Sequence, residues 1–261
     1  MKFTLFIYTL ITISTCLGQA GDYYQGCEGL SGEELKAKLH SIIRNHKMYA
    51  YSTPGRDSTD CWDILKETDR DPENPNNVIL VYSGMSTDAE QEYNNMKGWE
   101  KEHTWSASHG GFNRYADTAG TDVHHLKPVH YYFNRANGKY ARDFDDCETP
   151  VVFKEEEYGC FMDGDAFEPR DEVKGDIARM IFYMAVRYES APYDLEIVDE
   201  VGSSDHPNNL PFYGKLSTLL EWHRLDPVDE FEMNRNEVIY SYQGNRNPFI
   251  DNPEFVALIW Q

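Results

Sequence analysis

Cysteine, basic side chains and long apolar runs are all scarce in this 261-residue chain, and each scarcity rules something out. There are five cysteines, and no two stand in a C-x-x-C spacing, so local sequence assembles neither a zinc ribbon nor a thioredoxin-type redox pair. No H-E-x-x-H string occurs, which removes the helix-borne metalloprotease site. The run from Thr68 to Asn77 lacks the glycine and closing glutamate of an EF-hand calcium loop and reads as a solvated turn. There is no N-x-S/T sequon, no internal repeat and no low-complexity linker.

One apolar run is present. Residues 3–17 follow Met1-Lys2 and give way to the small residues Gly18 and Ala20, the pattern of a secretory signal peptide over residues 1–20. The run is short for a membrane span, and nothing later is apolar enough for one. Residues 21–261 are therefore expected to form a secreted, extracellular domain, monomeric and without a membrane partner. Removing the signal removes Cys16 and leaves Cys27, Cys61, Cys147 and Cys160. An even count in an exported chain suggests two disulfides. Four cysteines allow three pairings; the nearest-neighbour pairs Cys27–Cys61 and Cys147–Cys160 are the ones expected.

Basic residues number 24 against 45 acidic ones, a formal net charge of −21, so the chain as a whole repels polyanions. The exception is local. Between Lys97 and Arg142 stand seven basic residues (Lys97, Lys101, Arg114, Lys127, Arg135, Lys139, Arg142) and four acidic ones (Glu100, Glu102, Asp117, Asp122). The aromatic content of 14% is high, but the rings are scattered through helical segments, and core packing accounts for them.

Periodicity predicts an α+β fold, a mostly helical single domain with a small sheet. Ser31-Gly32-Glu33-Glu34 has capping-box spacing ahead of a helix carrying Leu35, Leu39, Ile42 and Ile43. Residues 78–82 read as a buried strand and 100–128 as a hairpin-like stretch. Residues 129–140, 173–187, 212–224 and 227–242 read as helices, the last with Pro227 at its start, followed by a short helix from Pro253. Residues 143–165 read as an acidic excursion over the surface.

The chemistry concentrates in Trp99-Glu100-Lys101-Glu102-His103-Thr104-Trp105, in Asp122-Val123-His124-His125-Leu126-Lys127-Pro128, and in Asn134. Glu102 and Asn134 are oxygen ligands suited to one hard divalent cation that keeps several waters. His103 titrates near neutrality and can deprotonate water. Adjacent strand residues point to opposite sides, so Glu102 and His103 share a site only if the strand ends or twists there. A zinc hydrolase and a non-catalytic binding module are the rival readings. Zinc asks for three nitrogen or sulfur ligands, and a binding module asks for a lost catalytic residue.

Glu-His-Thr-Trp, Asp-Val-His-His-Leu-Lys-Pro and the asparagine six residues beyond that proline resemble the endonuclease I family of secreted nucleases. So do Lys174-Gly175-Asp176-Ile177-Ala178-Arg179 and Gln243-Gly244-Asn245-Arg246-Asn247-Pro248-Phe249-Ile250-Asp251, and the likeness runs from about residue 28 to 258. The resemblance implies a ββα-metal (His-Me finger) site that cuts DNA or RNA without base specificity and leaves 5′-phosphates. It implies His103 as general base, with Glu102 and Asn134 holding Mg²⁺ (Mn²⁺ or Ca²⁺ as substitutes). His124 and His125 would orient the base or line the site, and Arg114 would hold the scissile phosphate, with Lys101, Lys127 and Arg135 as further substrate contacts. Three positions depart from the family pattern: Glu100-Lys101 replaces Asn-Arg, Ser106 replaces a proline, and Asn137 stands where an arginine is common.

Overall fold

The helix Lys174–Arg187 (here α4) is the axis of the molecule. Thirteen of its fourteen residues are buried, the charged Asp176, Arg179 and Arg187 among them, so it is enclosed by its neighbours on every side. The computed structural model describes residues 22–53, 58–135, 137–190, 192–202 and 211–261; the signal-peptide expectation for residues 1–20 lies outside them. Around α4 pack α1 (Gly32–Ile43), α5 (Leu216–Leu225) and α7 (Pro248–Asp251), while α2 (Cys61–Thr68) packs on α6 (Glu230–Gln243), and α8 (Phe255–Trp260) returns to α1. With α3 (Ala107–Gly110) the described residues hold eight helices. Together with small sheets they make an α+β single domain. No helix among the described residues is long and apolar enough to cross a membrane.

Two strands position the site. β3 (Trp99–His103) pairs antiparallel with β4 (Leu126–His130) in a register running from Trp99↔His130 to His103↔Leu126. The pair lies between two cores. Trp99 and Leu126 belong to a smaller cluster with Cys61, Ile64, Leu65 and Ile239, while Trp105 and Val129 join the larger cluster around α4. The short pairs β1–β2 (Asn77–Ile79 with Ser86–Asp88) and β9–β10 (Glu196–Ile197 with Phe212–Tyr213) flank it.

Several expectations are corrected. Residues 129–140 are not a helix. β4 continues to His130, a single turn follows (Phe133 N–H to His130 O, Asn134 N–H to Tyr131 O, Arg135 N–H to Tyr132 O), and further turns run to Arg142. The segment Asn-Arg-Ala-Asn-Gly is turn chemistry. Gly138 is pressed onto the backbone of Phe133, where a Cβ would collide with its carbonyl, and Tyr140 sits at φ 43°. The hairpin is therefore present, and among the described residues a turn stands where the ββα pattern would have its helix. Residues 143–165 are no surface excursion: β5 (Asp143–Phe144), β6 (Pro150–Phe153), β7 (Glu156–Asp163) and β8 (Ala166–Glu168) form a sheet of order β5-β8-β7-β6 that buries Val151, Cys160 and Phe167. Ser31 makes no side-chain cap; the reciprocal box forms instead at Asp60 and Asp63 ahead of α2. Pro227 precedes α6, which is capped by Asp229.

The expected disulfides are absent, and all four described cysteines are thiols. Cys27 packs in the larger core and Cys61 in the smaller, so that pair is divided between two clusters. The Cys160 thiol is turned to Tyr82 O (3.0 Å) and the Cys147 thiol to Asp145 O (3.4 Å).

Candidate active site

β3 and the turn after β4 bring Glu100, Lys101, Glu102, His103, Asn134 and Arg135 to the wall of one open pocket of about 370 Å³, closed on the other side by Tyr51, Trp62 and Arg114. The period-two geometry of the strand is kept. Glu100 accepts from Asn134 Nδ2 (3.2 Å) and Arg135 (2.7 Å), and Glu102 accepts from the Tyr82 hydroxyl (2.9 Å). Lys101 and His103 both meet the Tyr51 ring. Because β3 ends at His103, side chains from both of its faces reach the same space, which was the condition set by the sequence.

His103 is held in one tautomer. Its Nε2 lies 2.8 Å from Gly120 O, a carbonyl that can only accept, so Nε2 carries the proton and Nδ1 the lone pair. Gly120 is required for that approach, since a Cβ there would collide with Asn113 O and the backbone of Arg114. The Tyr51 ring stacks on the imidazole (5.6 Å, 11°) and His125 meets it edge-on at 5.3 Å. Burial, the His125 ring and Arg114 push its pKa down to about 3, away from the near-neutral titration expected from residue type, so the imidazole is neutral.

The carboxylate beside it is starved of positive charge. Burial, with Glu100 nearby, raises Glu102 to about 7 even though Lys139 and the Tyr82 hydroxyl favour its ionised form. Lys139 is fully buried, pulled down to about 8 by desolvation, and its Nζ has no hydrogen-bond partner among the described residues. Lys101 is lowered to about 7 by burial, donates to Tyr51 O (2.6 Å), and lies over the Tyr51 and Trp62 rings (3.9 and 3.5 Å). A buried carboxylate with one hydroxyl partner, a second carboxylate at Glu100 and the amide oxygen of Asn134 make an oxygen donor set that fits a hard divalent cation. Among the described residues no three His, Cys, Asp or Glu side chains converge as a chelating group, which is the arrangement zinc would want.

Three of the expected site residues do not line the pocket. Lys127 is buried, ion-pairs with Asp69 (2.8 Å) and does not line the pocket, so it is no substrate contact. His124 donates to Asn245 O (3.1 Å) and packs on Tyr183 (4.5 Å), behind the hairpin. His125 donates to Ala119 O (2.6 Å) and reaches the pocket only through the His103 ring. The residues that sequence reasoning missed are Glu100, which alternation from Glu102 would have marked, and the aromatic wall, for which no local signal exists.

Asp122 anchors this rear side. Its Oδ1 accepts from His124 N–H (3.0 Å) and Gln243 Nε2 (3.0 Å), its Oδ2 from the Tyr183 and Tyr188 hydroxyls (2.8 and 2.9 Å). The family strings around Lys174 and Gln243 now have a physical role. Gln243 also accepts from Val123 N–H, Asn245 donates to Tyr183, Asn247 donates to Arg179 O, and the Arg179 guanidinium is paired with Glu232. They clamp the hairpin from behind.

Two of these histidines set a pH limit on the fold. Burial lowers His124 to about 3 and His125 to about 4, although Asp122 pulls the other way. Unfolded histidine titrates near 6.5, so between these values the unfolded chain binds more protons. The stabilisation is complete above about pH 6.5 and is lost as pH falls toward 4. Glu102, with its pKa raised, offsets about one proton over part of that range. His103, lowered to about 3, adds to this, and denaturant unfolding at about pH 7.5 and 5 is expected to show a loss on the order of 3–4 kcal/mol at the lower pH. An unchanged midpoint would show that these rings are not held neutral.

The endonuclease I family model matches residues 31–254. An extracellular ribonuclease of Bacillus subtilis (strain 168) is 48% identical over 241 residues, spanning 91% of this chain and 78% of that one. An extracellular ribonuclease of Bacillus amyloliquefaciens is 45% identical over 260 residues, with 98% and 84% covered. A periplasmic deoxyribonuclease of Aeromonas hydrophila is 29% identical over 140 residues, about half of each chain. With a match over most of its length and two such relatives, this chain belongs to the endonuclease I family.

Proposed function

We propose that the protein is a secreted, metal-dependent, sequence-nonspecific nuclease that hydrolyses RNA in preference to DNA, with His103 as general base. The observation that carries the reading is that Glu102, His103, Asn134 and Arg114 line one pocket with the His103 lone pair fixed on Nδ1. RNA is favoured because both relatives that span most of the chain are named ribonucleases, while the deoxyribonuclease match covers half. The export of those relatives supports secretion.

In the reaction, His103 Nδ1 takes a proton from water, the water oxygen attacks phosphorus in line, and the bond to the 3′-oxygen breaks; that oxygen takes a proton from solvent water, leaving a 3′-hydroxyl and a 5′-phosphate. Arg114, exposed at the mouth, supplies a guanidinium for the phosphate, and Arg135, half-exposed but tethered to Glu100, a second. Glu102 and Asn134 would hold Mg²⁺, or Mn²⁺ or Ca²⁺ in its place, which when bound supplies charge relief at the phosphate and the departing oxygen. No side chain in this set reads a base edge, so specificity for sequence is low.

Chelation is expected to abolish cleavage of RNA and of DNA, with Mg²⁺ restoring it and Zn²⁺ alone failing to. Glu102→Gln is expected to raise the Mg²⁺ concentration needed for half-maximal rate by about tenfold or more, and calorimetric titration of Mg²⁺ should show the same weakening. Full activity in chelator, or restoration by Zn²⁺ only, would overturn the metal assignment.

A further inference from the structure

The pocket has an aromatic mouth. Among the described residues four aromatic side chains are exposed, Tyr93 (47%), Tyr115 (55%), Tyr140 (57%) and Phe212 (40%), and three of the four line this one pocket. Exposed aromatics gathered at a single cleft mark a binding surface, whereas scattered ones need no explanation. The rings continue inward. Tyr115 meets Tyr51 edge-on at 5.1 Å, and Tyr51 lies parallel to His103, so a file of rings leads from the mouth to the catalytic imidazole. The Arg114 guanidinium lies 4.7 Å from the Tyr115 ring centre, which sets a phosphate-binding cation beside a stacking face. Tyr93 and Tyr140 also share a backbone conformation that side chains rarely adopt, with φ of 52° and 43°, a cost retained only where the surroundings impose it.

We propose that Tyr93, Tyr115 and Tyr140 form a stacking rim that selects unpaired, single-stranded stretches of RNA, each ring taking the face of one base while the phosphate is held at the pocket wall. The inference rests on the nuclease reading above and names its substrate. Bases inside a duplex already stack on one another, and freeing one costs energy that an unpaired strand does not have to spend. Stacking is also indifferent to the charge deficit of this chain. A protein of net charge −21 gains little from counterion release, whereas base–aromatic stacking holds a single strand without it and without regard to sequence.

The test compares a short unstructured RNA with the same RNA annealed to its complement, using the full mature chain with Mg²⁺. Wild type is expected to prefer the single strand by about tenfold or more in kcat/KM. Each of Tyr93→Ala, Tyr115→Ala and Tyr140→Ala should raise KM on the single strand by about five- to a hundredfold with a much smaller change in kcat, so that the preference collapses. The three tyrosine-to-phenylalanine variants, which keep the ring, should retain it. Phenylalanine behaving as alanine does, equal losses on both substrates, or no preference in wild type would each overturn the rim. Anisotropy of a labelled single strand with the same variants reads the rim without turnover. Tyrosine-dependent binding by a wild type that cuts neither strand would sink the nuclease reading and keep the rim, and binding indifferent to all three rings would sink the rim alone.

Discussion

Replacing His103 by alanine is expected to lower the rate of phosphodiester hydrolysis by about a thousandfold, within the range of about 10²- to 10⁴-fold that a positioned general base contributes. The loss should fall on kcat and leave KM nearly unchanged, because the imidazole touches the attacking water and not the ground-state strand. The fold should survive, since His103 makes one side-chain hydrogen bond, to Gly120 O, and stands at the end of its strand. Added imidazole is expected to restore part of the rate by filling the space under Tyr51. Stopped assays of RNA cleavage with circular dichroism as a check on folding would measure both. A variant that kept more than about a tenth of wild-type activity would remove His103 from the base role.

Asp122→Ala is expected to cost about 3–5 kcal/mol, the penalty for stripping one member from a buried charged network. Its carboxylate is fully buried and accepts four hydrogen bonds, and His46 lies 3.7 Å away with Arg187 bonded to that ring. Burial alone would raise its pKa, but His46, His124 and Arg187 hold it well below the ordinary carboxylate range. Alanine would take one hydrogen-bond partner each from two tyrosine hydroxyls and a glutamine amide and would take from Arg187 its counter-charge. Set against a total stability of about 5–15 kcal/mol for a domain, that leaves little margin. Guanidinium unfolding should show the midpoint fall at nearly constant m-value; a cost below about 1 kcal/mol would mean that Asp122 is not the anchor described.

How far these features were legible in the sequence depended on how local their causes are. Glu102, His103 and Asn134 were legible through the family motifs, and they meet because β3 ends at His103 and a turn follows β4, so that all three line the pocket. Lys127 misled. Its partner Asp69 lies 58 residues away, and nothing near Lys127 announces that its charge is already taken. His124 misled in the same way, its partner being Asn245, 121 residues distant. The helix expected at 129–140 came from the coarse pattern of the chain, while the turn residues Asn134, Asn137 and Gly138 argued locally for what forms. The disulfide expectation came from counting cysteines, a compositional rule blind to the two cores that divide Cys27 from Cys61. The tyrosine mouth was dismissed as core because three rings from positions 93, 115 and 140 become neighbours only when the hairpin closes.

The clamp behind the hairpin has a consequence for the order in which the protein comes to life. The acid–base and phosphate-holding side chains, from Glu100 to Arg135, leave the ribosome more than a hundred residues before Gln243, Asn245 and Asn247. Until Gln243 and Asn245 arrive, Val123 N–H and the His124 ring lack their partners, Asp122 and Tyr183 each lack one of theirs, and the rear of the hairpin is without its clamp. Contacts this distant in sequence close late in folding. For more than a hundred residues of synthesis the nascent chain therefore carries the hairpin without its rear clamp. The hairpin is clamped from behind only once the last stretch of the chain, from Gln243 on, has been made.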